Sequence, residues 1–408
     1  MKTYTVTRNE KYDFTSQSYA TIYPNLHRYP ATMIPQIGIE LFKELEIKSG
    51  KLLDPYCGSG SSITVGIDRG MKEIQGYDIN PLAVLISRAK FTKIEIEKLT
   101  KSYQHLRNQI YDFIKIEDNA KKIEIHNDKN IDFWFSKQVL ENLSILKHFI
   151  GKMQTEIRML FLVALSETIR ECSYTRNNEF KLYRIKAEDI LSFNPDVFGV
   201  YFAKLNKVIE SYTKFYYPKL NNTKIEITCK PFAETKNYFD TVLTSPPYGD
   251  SHTTVAYGQF SMFGNQWFGV KHARQIDNMM MGGKSVKENF SGSLITDYIN
   301  EISKVSEKRA LEVSSFYMDL DVSIKEVAKS IKKGGKCIYV VGNRRVKDVQ
   351  LPTDQFIAER FEKNGLKHAL TYERLLSNKA MPSQNSPSNK VGKTKGTMTK
   401  EYIVICEK

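Results

Sequence analysis

The chain has 408 residues, 41% of them hydrophobic, enough for a sizeable core and for two or three domains. Lys and Arg number 60 against 46 Asp and Glu, a net charge of +14 that points to a polyanionic partner, nucleic acid before anionic membrane. Five cysteines, at 57, 172, 229, 337 and 406, include no C-x-x-C pair. No disulfide framework and no metal site is indicated, and a reducing, cytoplasmic setting is expected. The N-terminus lacks the apolar run of a signal peptide, and no stretch is apolar for long enough to span a membrane.

In chain order, MIPQIGIELFKEL (33–45) carries Ile37, Leu41, Phe42 and Leu45 at helical spacing. KLLDPYCGSGSSITVGIDRG then reads as a strand over 51–54, a glycine turn and a helix from Ser61, with Ser59 or Ser61 able to cap it. EIQGYDIN is a strand ending at Asp78, and PLAVLISRAKF is a helix with Pro81 in its first turn. This βαβα opening predicts an α/β fold with a parallel sheet. Residues 97–224 read mostly as amphipathic helix, hence as an inserted helical domain between catalytic segments 1–96 and 225–408. Strand patterns return at 225–229 and 238–244, helix at 297–333, and a buried strand at 337–341. LKHALTYERLL and EYIVICEK read as two last strands, separated by a polar, basic loop (377–400).

Gly58 and Gly60 stand between a buried strand and a helix, where glycine permits a sharp turn and close approach of a ligand. Asp54 ends the first strand and Asp78 the next, about 20 residues on, the spacing at which an acid takes the hydroxyls of a ribose. A nucleoside cofactor follows from that pairing. The G-x-G-x-x-G dinucleotide fingerprint is absent, since Ile63 stands where its third glycine belongs. The competing reading makes Asp78 a helix cap ahead of Pro81.

LTSPPYGDS (243–251) also ends a strand. Pro246 and Pro247 fix φ and remove two donors, leaving carbonyls as acceptors. Ser245 adds a hydroxyl and Tyr248 a stacking face. The set suits a planar ligand with an amino group at its edge. Hydrogen bonds from both N–H groups favour the pyramidal nitrogen that attacks a methyl group, so orientation and electrostatics suffice. The plain alternative is a proline-terminated strand with a core tyrosine.

DPYCGSGSS, YDIN and TSPPYGD resemble the cofactor loop, acid and catalytic motif of amino-methylating DNA methyltransferases. S-P-P-Y with its leading serine is similar to the cytosine-N4 subgroup; adenine-N6 enzymes more often carry D-P-P-Y or N-P-P-Y. HRYPATMIPQ resembles the segment that closes over the methionine end of the cofactor. IKKGGKCIYVVGN resembles a later strand of the fold, and SNKAMPSQNSPSNK with TMTKEYIVI resembles the closing loop and strand of cytosine-N4 members. The resemblance covers most of 20–95 and 225–408. It implies a Rossmann-like methyltransferase sheet, mostly parallel, with an antiparallel C-terminal strand. It also implies S-adenosyl-L-methionine held by Asp54, Tyr56, Cys57, Gly58, Gly60, Ser61, Asp78 and Ile79, with Phe232 and Ala233 near the adenine ring. Ser245, Pro246, Pro247 and Tyr248 form the implied catalytic set for a base flipped out of double-stranded DNA. Cys57 is read as a small packed residue. The chain departs from the family at KPFAET, where Lys230-Pro231 stand in place of a frequent acid, and in the position of its insert.

Three segments are candidates for the DNA interface. The insert offers Arg176, Lys181 and Arg184 in CSYTRNNEFKLYRIK. The stretch after the catalytic turn offers His252, Gln259, Asn265, Gln266, Lys271 and Arg274, and the basic loop offers Lys390 and Lys393. Each has a plain alternative as a solvated or packing face, and Asp250 and His252 are expected to order their loop. The expected function is site-specific cytosine-N4 methylation of DNA within a restriction–modification system, beside a cognate endonuclease. The alternatives are an adenine-N6 enzyme, a methyltransferase of an RNA base or a protein amide, against which the basic insert and the cytosine-type tail argue, and a DNA-binding module without activity.

Overall fold

The computed structural model describes residues 2–15, 23–116, 122–177, 179–220, 223–233, 235, 238–251, 253–376, 384–385, 395–396 and 398–408. Eight strands form its main sheet: β1 (Val6–Arg8), β2 (Lys51–Asp54), β3 (Glu73–Asp78), β4 (Lys224–Cys229), β5 (Phe239–Thr244), β6 (Ile331–Val341), β7 (Lys367–Leu375) and β8 (Lys400–Glu407). Their spatial order is β1-β7-β8-β6-β5-β2-β3-β4. Every neighbouring pair is parallel except the two that involve β8, which runs against both β6 and β7. The expected mostly parallel sheet with a reversed C-terminal strand is therefore present.

From β2 the chain steps outward to β3 and β4, then returns to lay β5 on the other side of β2. The strand order thus reverses between β2 and β5, the place where open α/β sheets take ligands beyond their carboxyl ends. Side chains alternate across the sheet with the period of two that the pleat imposes. Leu52, Leu243, Ile338 and Ile403 face one apolar layer. Leu53, Val242, Tyr339 and Val404 face the other. On the first face lie α1 (Pro35–Glu44), α2 (Ser61–Asp68) and α3 (Pro81–Phe91).

The segment between β3 and β4 adds α4 (Ile96–Ile114), α5 (Lys137–Gly151), α6 (Thr155–Glu171) and α7 (Val197–Ser211) on that same face. α6 is buried through Leu160, Phe161, Ala164 and Leu165. The apolar side chains of these helices join the sheet's own cluster in one continuous core. After β5 come α8 (Tyr257–Trp267), which packs on α6, and then α9 (Thr296–Val305), α10 (Glu307–Ser330) and α11 (Thr353–Lys363), which cover the second face.

Two boundaries differ from the sequence reading. β6 begins at Ile331, well before the apolar run at 337, because Gly334 at φ +77° and Gly335 let an irregular strand continue through a polar stretch. α2 has no serine cap: Gly60, at φ +91°, is its N-cap residue. A Cβ there would lie 2.5 Å from the Phe91 ring and 2.6 Å from Ser87 Oγ, so close packing on α3 selects glycine. Among the described residues no helix is long and apolar enough to cross a membrane.

Candidate active site

The glycine loop joins β2 to α2. Asp54, almost fully buried, ends β2 and accepts from Ser62 Oγ, from Tyr56 N at 3.0 Å and from Thr244 Oγ1 at 2.5 Å. Burial pushes its carboxyl up to about 6, although these donors pull it down. Thr244 is the last residue of β5, so Asp54 binds the glycine loop to the strand end that carries S-P-P-Y. Cys57 packs on Gly76 of β3 and donates its N–H to the Tyr77 carbonyl at 2.8 Å. Burial pushes its thiol up, which suits a packing residue and not a nucleophile. Tyr56 turns its hydroxyl to Ser323 of α10. Ser61 is the first residue of α2.

Asp78 ends β3 and accepts the Gly58 N–H at 3.0 Å and the Asn80 N–H at 2.8 Å. The acid thereby sets the loop's conformation. Burial pushes its carboxyl up to about 6 against the pull of those N–H groups. Around it stand Tyr29 and Tyr257, stacked with ring centroids 6.0 Å apart. Burial and the Asp78 charge push both hydroxyls up. Asn80 donates to Tyr29 Oη and Ser261 Oγ, each at 3.0 Å, and accepts from Asn265 at 3.1 Å. Ile79 follows Asp78, half-buried, and its carbonyl faces Cys229 of β4. Phe232 lies edge-on to Tyr77 at 5.1 Å, and Ala233 is exposed beside it.

Beyond β5, Pro246 is buried while Ser245, Pro247 and Tyr248 are half-buried. Ser245 Oγ donates to Tyr248 Oη at 3.3 Å, and Tyr248 Oη donates to Glu401 Oε1 at 3.1 Å. Glu401 of β8 stands opposite Arg374 of β7 in register, and the two form a buried ion pair at 3.4 Å. Burial and the Glu401 charge push the Tyr248 hydroxyl well above its ordinary value, so it stays protonated. Gly342, just beyond β6, makes room for Met398 and for the ring: a Cβ there would collide with Met398 Sδ and lie 2.8 Å from Tyr248 Cδ2. Asp250 orders the following turn. It accepts from Thr253 N at 3.0 Å and holds the buried Arg344 at 2.8 Å. Burial alone would raise the Asp250 carboxyl, but the Arg344 charge holds it below its ordinary value.

The residues proposed to meet DNA fare unequally. His252, Lys390 and Lys393 lie outside the described residues. Arg176 pairs with Glu179 at 3.4 Å and Arg184 donates to the Phe133 carbonyl at 2.9 Å, in a hairpin closed by a Thr175–Arg184 bridge. Gln259 accepts from the Leu182 N–H at 3.3 Å, tying that hairpin to α8. Arg274 is exposed yet donates to the Lys129 carbonyl at 2.5 Å, and Lys271 is exposed. Lys181 is half-buried. Asn265 and Gln266 are buried, so the suggestion that they meet bases is corrected: they pack α8 against Asn80 and Arg274.

Sequence reasoning missed Tyr29, Tyr257, Lys90, Arg344, Arg374 and Glu401. Lys90 lies buried under the glycine loop, donating to the Ser59 carbonyl at 2.7 Å, and burial pulls its amine down to about 7. No short motif announces these residues: Tyr29 and Arg344 come from loops, and Lys90, Tyr257, Arg374 and Glu401 from α3, α8, β7 and β8.

No family model matches the chain. It is 40% identical to the type II methyltransferase M.MvaI of Kocuria varians, over 93% of this chain and 89% of that protein. It is 29% identical to the type II methyltransferase M.MjaII of Methanocaldococcus jannaschii, over 28% of this chain and 23% of that one. Among solved structures, an rRNA methyltransferase, aviRa from Streptomyces viridochromogenes, aligns at 11% identity and a TM-score of 0.30, covering 93% of this chain and 86% of that one. So slight a likeness carries no argument; the fold reading rests on strand order. Methyltransferases of this type use S-adenosylmethionine, and the residues at the β2 and β3 ends fit it. Among the described residues nothing lies within 4 Å of where a Gly58 Cβ would be, so the loop faces open space beside the Asp78 carboxylate. Strand order, glycine loop and similarity along nearly the whole chain agree: the chain belongs to the type II methyltransferases.

Proposed function

We propose that the chain methylates the exocyclic N4 amino group of a cytosine flipped out of double-stranded DNA. One observation carries the reading. The glycine loop with Asp78 and the Ser245–Tyr248 set sit at the carboxyl ends of β3, β2 and β5, and the Asp54–Thr244 hydrogen bond locks the two halves together. S-adenosylmethionine supplies an electrophilic methyl on a sulfonium. Asp78, Gly58, Gly60 and Ile79 would hold its nucleoside, with Phe232 and Ala233 near the adenine and Asp54 setting the loop from below.

Ser245 and the Pro246 carbonyl would take the two hydrogens of the amino group, and Tyr248 would lie against the base. Preorganised acceptors aimed at developing positive charge supply the catalysis, and fixing the pair in line removes the entropy of encounter. The choice of cytosine rests on serine at 245. The net charge of +14 and the exposed Lys271 and Arg274 support a nucleic-acid partner. The type II relatives support a restriction–modification role, in which an endonuclease would cut the same site. The test is incubation with duplex DNA and labelled cofactor, then nucleoside analysis. N4-methylcytosine is expected; N6-methyladenine overturns the base assignment, and unlabelled DNA overturns the substrate.

A further inference from the structure

The Ser245 and Tyr248 hydroxyls are linked in one direction. Ser245 donates to Tyr248 at 3.3 Å and Tyr248 to Glu401 at 3.1 Å, and the line ends on a carboxylate whose other oxygen faces Arg374. Glu401 is 5% exposed and Arg374 3%, so a charge is kept in the protein interior at the end of the line. A buried ion pair is a weak source of stability, since desolvation offsets most of its attraction. Holding the Tyr248 ring in place requires no charge either: Gly342 already provides its contact surface. A function for the carboxylate is therefore to be sought in chemistry.

Methyl transfer to an amino nitrogen leaves one proton too many. A C–N bond forms as the donor's C–S bond breaks, and the nitrogen gains a positive charge that it sheds by losing an N–H proton. A serine is a poor final acceptor for it. We infer that Glu401 is the terminal proton acceptor of the reaction, reached through the Ser245 and Tyr248 hydroxyls; the inference rests on the amino-methylating reading of this site. The amino proton passes to Ser245 Oγ, the Ser245 proton to Tyr248 Oη, and the Tyr248 proton to Glu401 Oε1. One proton enters the line and one reaches the carboxylate, while both hydroxyls stay neutral. Departure of the product lets the same hydroxyls return that proton to water. The donor directions in the resting protein already match this transfer, and the route does not depend on which base carries the amino group.

The experiment compares Tyr248→Phe, Glu401→Gln, their double variant and Tyr248→Ala in the full chain. Readouts are single-turnover methyl transfer to duplex DNA at saturating cofactor and calorimetric affinities for S-adenosylhomocysteine and for DNA. Loss of a positioned proton acceptor lowers the rate by about 10²-fold or more. Tyr248→Phe and Glu401→Gln are each expected to show that loss, the double variant no further loss, and all three affinities within twofold of the parent. Glu401→Asp is expected to restore part of the rate. Tyr248→Phe keeps the ring and leaves the Arg374–Glu401 pair intact, so it decides the matter even if Glu401→Gln does not fold. A parental rate in Tyr248→Phe with a large loss in Tyr248→Ala overturns the relay and keeps the stacking role. A parental rate in Tyr248→Ala overturns the reading of the site itself.

Discussion

Replacing Asp78 by Asn separates cofactor binding from folding. The carboxylate accepts two backbone N–H groups, from Gly58 and Asn80. Asn offers one oxygen for them and turns an NH₂ toward the other N–H, leaving that buried donor unpaired at about 1–3 kcal/mol. Against this, burial has raised the Asp78 pKa from 3.8 to about 6. A shift of that size corresponds to about 3 kcal/mol of cost for keeping the charge, which Asn does not incur. The two contributions nearly cancel, so thermal unfolding should move by only a few degrees. Cofactor affinity has no such compensation. Losing a charged acceptor for the ribose hydroxyls, about 3 kcal/mol, raises Kd by about 150-fold. The pH dependence follows with opposite signs. As pH falls from 6 to 5 the ionised fraction drops from about a half to about a tenth, and the parent's Kd should rise by about fivefold. Over that window this group's destabilising charge is being removed, so its contribution to stability improves, levelling off below 3.8. Asp54 titrates in the same range but is turned into the protein, so Asp78→Asn should flatten the affinity profile. Calorimetry of S-adenosylhomocysteine binding from pH 5 to 8, with thermal melts, tests this. An unchanged Kd, or a loss of affinity that merely tracks a collapsed fold, refutes the reasoning.

Thr244→Val removes the 2.5 Å donor to buried Asp54 and should cost about 1–3 kcal/mol in urea unfolding; a neutral result would mean the lock between β2 and β5 carries no energy. Gly60→Ala forces a side chain into φ +91° against Phe91 and should cost at least about 2 kcal/mol. Gly58→Ala, with open space above it, should cost about 1 kcal/mol yet weaken cofactor binding more; equal effects of the two in both assays would contradict the loop geometry. Asp250→Ala strands the buried Arg344 guanidinium and should destabilise by about 3–5 kcal/mol, with most of it recovered in the Asp250→Ala/Arg344→Met double variant. Additive losses in the double would show that the pair is not coupled.

The catalytic half of the fold was legible because its signals are local. Strand, glycine turn and helix at 51–68 fall in one short window; Asp54 and Thr244 each end a strand with visible apolar residues, and Asp78 follows Asp54 at the spacing expected of the ribose acid. β1 has three residues and a mostly exposed pattern, so no alternation marks it. α11 was overlooked although Phe356, Ile357 and Phe361 face the core at helical spacing. The site's supporting residues were illegible for a different reason. Glu401 reaches Tyr248 only because β8 runs antiparallel beside β6, and Arg344 reaches Asp250 only across 94 positions of chain. Such pairs come from sheet order, which a linear reading reaches last. The same holds for Asn265, polar in the sequence and buried in the structure because Asn80 awaits it.

The most direct measurement is a crystal structure of the chain with S-adenosylhomocysteine and a duplex bearing its target site. The ribose hydroxyls are expected on the Asp78 carboxylate, and a flipped cytosine with its amino group between Ser245 Oγ and the Pro246 carbonyl, against Tyr248. A nucleoside seated away from the β2 and β3 ends, or a target base that never meets Ser245 and Tyr248, would contradict this expectation.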